Sequence, residues 1–165
     1  VVLDAAIGVA TARTRELIQP SLNRLGQTYP SFAAYLELIK AAPYLHGWPW
    51  DPAIESYYRA DVQTADDGSV RARSKPEHIG AAMDGVVAEP WRDHLSRIAH
   101  QVLLVNAPGP YGPPGAPPIV SAEQAAETAA LLPNCRLVTG PGNHQTMLYG
   151  AGATAIADAI GAFAQ

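Results

Sequence analysis

His144 is the residue whose surroundings most suggest chemistry. It lies six positions after Val138, in the loop Gly140-Pro141-Gly142-Asn143-His144, with a helix expected over about 151–164. An imidazole changes charge near neutral pH, so one held at the end of a strand can accept or donate a proton. Glycine and proline fix such a loop without adding bulk. In an open parallel sheet the loops at the carboxyl ends of the strands converge on one crevice, where functional groups collect. Position, loop and following helix agree, favouring a catalytic base over an imidazole bonded to its own loop backbone. His46, His78, His94 and His100 have no metal-ligand spacing and read as surface or satisfied residues. Cys135 is the sole cysteine, which excludes an internal disulfide and a Cys-based zinc site. At a strand start it reads as a small buried hydrophobe. No cofactor is implied.

A histidine so placed needs a sheet beneath it. Val102-Leu103-Leu104-Val105 is a continuous apolar run, the pattern of a strand buried on both faces. Similar runs at the start of the chain and at Cys135-Arg136-Leu137-Val138 give three expected strands, at about 1–5, 101–106 and 135–139. Ser121-Ala122-Glu123-Gln124 is a capping box opening a helix between the last two. The final helix carries Ile156, Ile160 and Phe163 on one face. This βαβα order implies parallel pairing with helical crossovers, an α/β class. The 107–118 loop holds six prolines and three glycines and cannot be helix or central strand.

Residues 11–98 read differently, as a helical module with no confident strand. Residues 11–29 form a polar, partly helical connection interrupted by Pro20 and Gly26. Ser31 is a candidate N-cap before the stripe Phe32, Tyr35, Leu36 and Ile39. Asp51-Pro52 opens another helix, with Ile54, Tyr57 and Tyr58 on its apolar side. Asp66-Asp67-Gly68-Ser69 is a turn. Ser74-Lys75-Pro76-Glu77 reads as a second capping box, leading a helix whose inner face is Ile79, Met83 and Val86 or Val87.

The chain has 165 residues, 48% hydrophobic and 16% charged, enough to bury a core as one domain or part of a larger one. A net charge of −4 argues against nucleic-acid and anionic-membrane surfaces. No apolar run approaches the roughly 20 residues of a membrane span. An apolar run at residue one, with neither an initiator Met nor a basic n-region, suggests that polypeptide preceded or accompanies it. Compartment is unreadable, with the cytoplasm as default.

In the order and spacing of these elements the chain resembles the C-terminal half of an α/β-hydrolase. Val1–Asp4 resembles the sixth strand of that family, residues 11–98 its cap, Val102–Val105 the seventh strand and Arg136–Val138 the eighth. His144 then stands where the triad histidine does. The resemblance implies a partial α/β-hydrolase sheet, from residues 1–10 and 99–165, with 11–98 as a helical cap. It also implies a mechanism. A nucleophile, usually Ser in Gly-x-Ser-x-Gly, attacks an acyl carbonyl, histidine takes its proton and an acid orients the imidazole. None of the seven serines stands in such an elbow, so the nucleophile is expected on a partner polypeptide or a missing segment.

The family's usual acid follows the seventh strand, where this chain has Asn106-Ala107-Pro108 and no carboxylate. Some members, haloalkane dehalogenases among them, place it at the end of the sixth strand, where Asp4 stands. Asp4 is therefore the expected acid, with Asn106 as a fallback orienter of the imidazole. Trp48, Trp50, Tyr57 and Tyr58 concentrate aromatic surface in the implied cap and, with Met147, are candidates for lining an apolar pocket. The leading expectation is hydrolysis of an ester, thioester, lactone or similar acyl substrate. A non-catalytic small-molecule-binding module and a lyase using the same histidine remain the alternatives.

Overall fold

In the computed structural model, which describes residues 1–165, the elements run β1 (Val2–Leu3), α1 (Ala12–Leu22), β2 (Thr28–Tyr29), α2 (Phe32–Lys40), α3 (Pro52–Asp61), β3 (Val62–Thr64), β4 (Val70–Ala72), α4 (Pro76–Ala88), α5 (Trp91–Ser96), β5 (Val102–Asn106), α6 (Ala122–Leu131), β6 (Cys135–Thr139) and α7 (Ala151–Phe163). Short 3-10 turns lie at Pro43–Leu45 and Thr146–Leu148.

β1, β5 and β6 pair in parallel in that order, with Val2 opposite Leu104 and Leu104 opposite Leu137. The apolar run of β5 is central, and all five of its residues are buried. One face, Leu103 and Val105, packs with Ala107, Met147 and Ile156 of α7. Ile160, expected on that inner face, is exposed instead. The other face carries α6, whose Ser121 capping box forms both of its hydrogen bonds. Parallel neighbours need such a crossover, since a tight turn cannot join them. All three strands fall where the sequence puts them, and the chain is α/β.

Within 11–98 the helix starts are largely as expected. The Ser31 side chain accepts from Ala34 N, and the Asp51 side chain accepts from Ala53 N with Pro52 in the first turn. Two corrections concern helix ends. Pro20 lies inside α1 rather than interrupting it. The Ser74 box does not form: α4 starts at Pro76, so Lys75 is the N-cap and makes no side-chain bond. Proline favours the first helical position, and that preference shifts the start one residue past Ser74.

The segment is also not purely helical. β2, β4 and β3 make a small antiparallel sheet, in that order. Its strands are two or three residues long, too short to leave an alternating pattern. The 66–69 turn closes the β3–β4 hairpin, with Gly68 at φ +83 and Ala65 N donating to Ser69 O. Tyr35, Ile39, Ile54, Tyr58 and Val70 form a core that continues into Tyr111, Val120 and Tyr149. The segment is thus packed onto the loops at the carboxyl ends of the strands. The expected inner face of α4 is a further correction, because none of its residues is buried.

Candidate active site

The site begins where β1 ends. Asp4 N donates to Val105 O at 2.7 Å, the last rung between these strands. The chain then turns sharply, with Asp4 at φ +44, the one non-glycine residue with positive φ. Aspartate tolerates this left-handed conformation better than most side chains. The turn brings the carboxylate across the end of β5. Oδ1 accepts from Asn106 Nδ2 at 2.8 Å and from Ala107 N at 2.8 Å. Oδ2 lies 3.0 Å from His144 Nδ1. Asp4 is only 2% exposed, and three donors satisfy a carboxylate that would otherwise be costly to bury.

His144 is held by a loop with little freedom. At Gly142, φ +85, a Cβ would lie 2.6 Å from Thr146 Oγ1 and 3.2 Å from the Trp48 ring. A Cβ on Gly109 would lie 2.4 Å from Gly142 O, to which Gly109 N donates at 2.9 Å. These two positions require glycine. Asn143 Oδ1 accepts from Gln145 N and Thr146 N at 3.0 Å each. Its Nδ2 donates to Tyr44 O and Pro110 O at 2.9 Å each.

The imidazole emerges from this frame half-exposed, with its side chain at 44%. A carboxylate can only accept, so Nδ1 supplies the proton shared with Asp4, and the neutral ring keeps its lone pair on Nε2. Nε2 makes no hydrogen bond within the chain. Tyr111 meets the imidazole edge-to-face, with centroids 6.4 Å apart. Burial, partly offset by its Ser21 hydrogen bond, pushes the Tyr111 phenol up to about 12, so it stays a neutral hydroxyl. The pair can therefore hold an oriented base open to a group arriving from outside.

Not every expected site residue belongs here. Asn106 does not approach His144 as an orienter: from the end of β5 its amide bridges Asp4 Oδ1 and Val120 O, and so steadies the acid. Tyr58 and Met147 are core residues, each 2% exposed. Trp50 is on the surface with the Lys40 ammonium over its ring. Tyr57 is exposed and edges against Tyr58 and Tyr149. Of the five candidate lining residues, Trp48 reaches the His144 loop with its ring at Gly142, and Met147 with its backbone N–H, which donates to Asn143 O. Asn143 escaped the sequence reading, although Asn with Thr three residues later, at a turn, is a side-chain capping signal. A groove of about 960 Å³ lies away from His144. It lies beside β1, lined by Val2, Val87, Trp91, Leu95, Leu104 and Leu132 among others.

No protein-family model matches the sequence, and no curated protein matches it. Solved structures do. E-2-(acetamidomethylene)succinate hydrolase superposes with a TM-score of 0.64 over 90% of this chain and 52% of its own, at 18% identity. The chain has the fold of an α/β-hydrolase, in its C-terminal half. An esterase from Mycobacterium tuberculosis gives a TM-score of 0.56 over 94% of this chain and 50% of its own, at 14% identity. The chain thus spans about half the length of the structures it matches. β1 is an edge strand of the parallel sheet, and the groove runs beside it.

Proposed function

We propose that this chain is the histidine-bearing half of a capped hydrolase that cleaves an ester, thioester, lactone or similar acyl bond. Residues 11–98 serve as the cap and residues 1–10 and 99–165 as the core. The observation that carries the reading is the Asp4–His144 contact at 3.0 Å with Nε2 left open. His144 Nε2 takes the proton of an attacking nucleophile, and Asp4 stabilises the imidazolium that forms. The same proton then passes to the leaving oxygen or sulfur. Both structural neighbours are named as hydrolases, in keeping with this chemistry.

The nucleophile comes from a polypeptide segment carrying the other half of the fold. None of the chain's serines hydrogen-bonds His144. Cys135 begins β6, whereas His144 follows its end, and burial raises its thiol above the ordinary range. The β1 edge supports the docking of that segment. Val1, Val2 and Leu3 are exposed there, whereas β6 at the other edge carries Arg136. Unprotected apolar edges invite strand pairing.

The groove agrees in handedness. α6 crosses from β5 to β6 on the face of Leu104 and Leu132, and parallel crossovers are right-handed almost without exception. A strand added beside β1 and joined to it in the same sense carries its helix on that same face, into the groove.

A fluorophosphonate tests this directly, because it phosphonylates the activated serine of an acyl hydrolase. The whole protein should hydrolyse short aryl esters, and the label should land on a serine outside residues 1–165. Labelling within residues 1–165, or no esterase or thioesterase turnover, would overturn the reading.

A further inference from the structure

We propose that Asn143 is a positioning residue that ties the Tyr44–Trp48 turn to the imidazole of His144, so that displacement of this turn reaches the base. The inference rests on the reading of His144 as the catalytic base. Asn143 uses both ends of its amide and is buried, at 7% exposed. Its oxygen closes the turn that contains His144, capping Gln145 N and Thr146 N. Its nitrogen spans two other segments, at Tyr44 O and Pro110 O. One side chain therefore joins the histidine loop, the 107–118 loop and the 11–98 segment.

Two packing contacts run alongside it. The Trp48 ring lies against Gly142, immediately before Asn143. The Tyr44 ring stacks on Tyr111 at 5.3 Å, and Tyr111 in turn meets the His144 ring. A shift of the 44–48 turn must break the Asn143 donors or carry the loop along. Breaking them leaves the buried Asn143 amide and the buried Tyr44 carbonyl unpaired, so moving together is favoured. Substrate entering under the cap would press on this turn, and Asn143 relays that to the imidazole.

Asn143→Asp isolates the relay. The capping oxygen and its two bonds remain, but a carboxylate oxygen now faces Tyr44 O and Pro110 O where two N–H donors stood. The readout is hydrogen exchange by NMR in the whole protein without substrate. The His144 Nδ1–H proton should exchange at least 10-fold faster in the variant. The amides of Leu45, His46 and Trp48 should lose protection with it, while those of Leu103 and Val105 stay as slow as in the parent. An unchanged Nδ1–H rate alongside a released 44–48 turn overturns the proposal. Equal loss of protection in β5 also overturns it, because that signifies general destabilisation. Asn143→Ser, which keeps one acceptor, gives the same reading if the aspartate variant does not fold. Absence of turnover in the parent whole protein counts against the hydrolase reading alone, since the exchange rates need no substrate.

Discussion

Replacing His144 by alanine is expected to lower kcat/KM of the whole protein by about 10⁴-fold, the scale on which triad residues act. The ring accounts for this loss through one atom, the free Nε2, because Nδ1 is already engaged by Asp4. Substrate affinity should hold, since the residues packed around the ring keep their own partners: Tyr111 its Ser21 bond and Asn143 its four. Stability should fall by only about 1–3 kcal/mol, as Asp4 Oδ2 loses its donor while Oδ1 keeps both of its own. Steady-state kinetics with a denaturant titration check both numbers. Undiminished turnover would remove His144 from the chemistry. Lost turnover together with lost folding would make its role structural.

Asp4→Asn should cost a comparable factor, about 10⁴ in kcat, for a different reason. Asparagine fits the left-handed backbone at φ +44, and its oxygen can still accept from Asn106 Nδ2 and Ala107 N. Its amide nitrogen then faces His144 Nδ1 and can only donate. The imidazole must switch tautomer, placing its proton on Nε2, where it cannot receive another from the nucleophile. Activity should therefore collapse in a folded protein. Asp4→Ala is the contrasting variant. It strands one N–H of the Asn106 amide, whose bond to Val120 O remains, and the Ala107 N–H, two buried donors at about 1–3 kcal/mol each, and should lower stability as well as activity. Full activity in Asp4→Asn would show that the carboxylate does not orient the base.

The sheet was legible because its signals are long and local. The β5 run reads as a central strand, the 107–118 loop excludes regular structure, and the Ser121 box marks α6 at both of its hydrogen bonds. His144 was legible from its loop and the helix after it. Asp4 was not legible from its neighbours, since a lone carboxylate ending a strand carries no sign of a partner 140 positions away. It was named by its place in a resembling family, and the coordinates put it 3.0 Å from the imidazole.

Side-chain direction was the weakest point. Asn106 ends the right strand but turns to Asp4, a choice fixed by Val120 O on its other side. Tyr57 and Tyr58 adjoin in sequence, yet helical geometry sends one outward and the other into the core. Val86 and Val87 were legible as apolar, but α4 turns both to the surface. The three short strands of 11–98 gain their pairing from the core beneath them rather than from a pattern of their own.

The decisive measurement is a crystal structure of the whole protein. Expected is a nucleophilic oxygen or sulfur at a strand-to-helix turn, within about 2.6–3.2 Å of His144 Nε2, its strand parallel to β1 and its neighbouring helix in the groove at Leu104 and Trp91. A β1 edge that nothing pairs with, or an imidazole remote from any nucleophile, would contradict it.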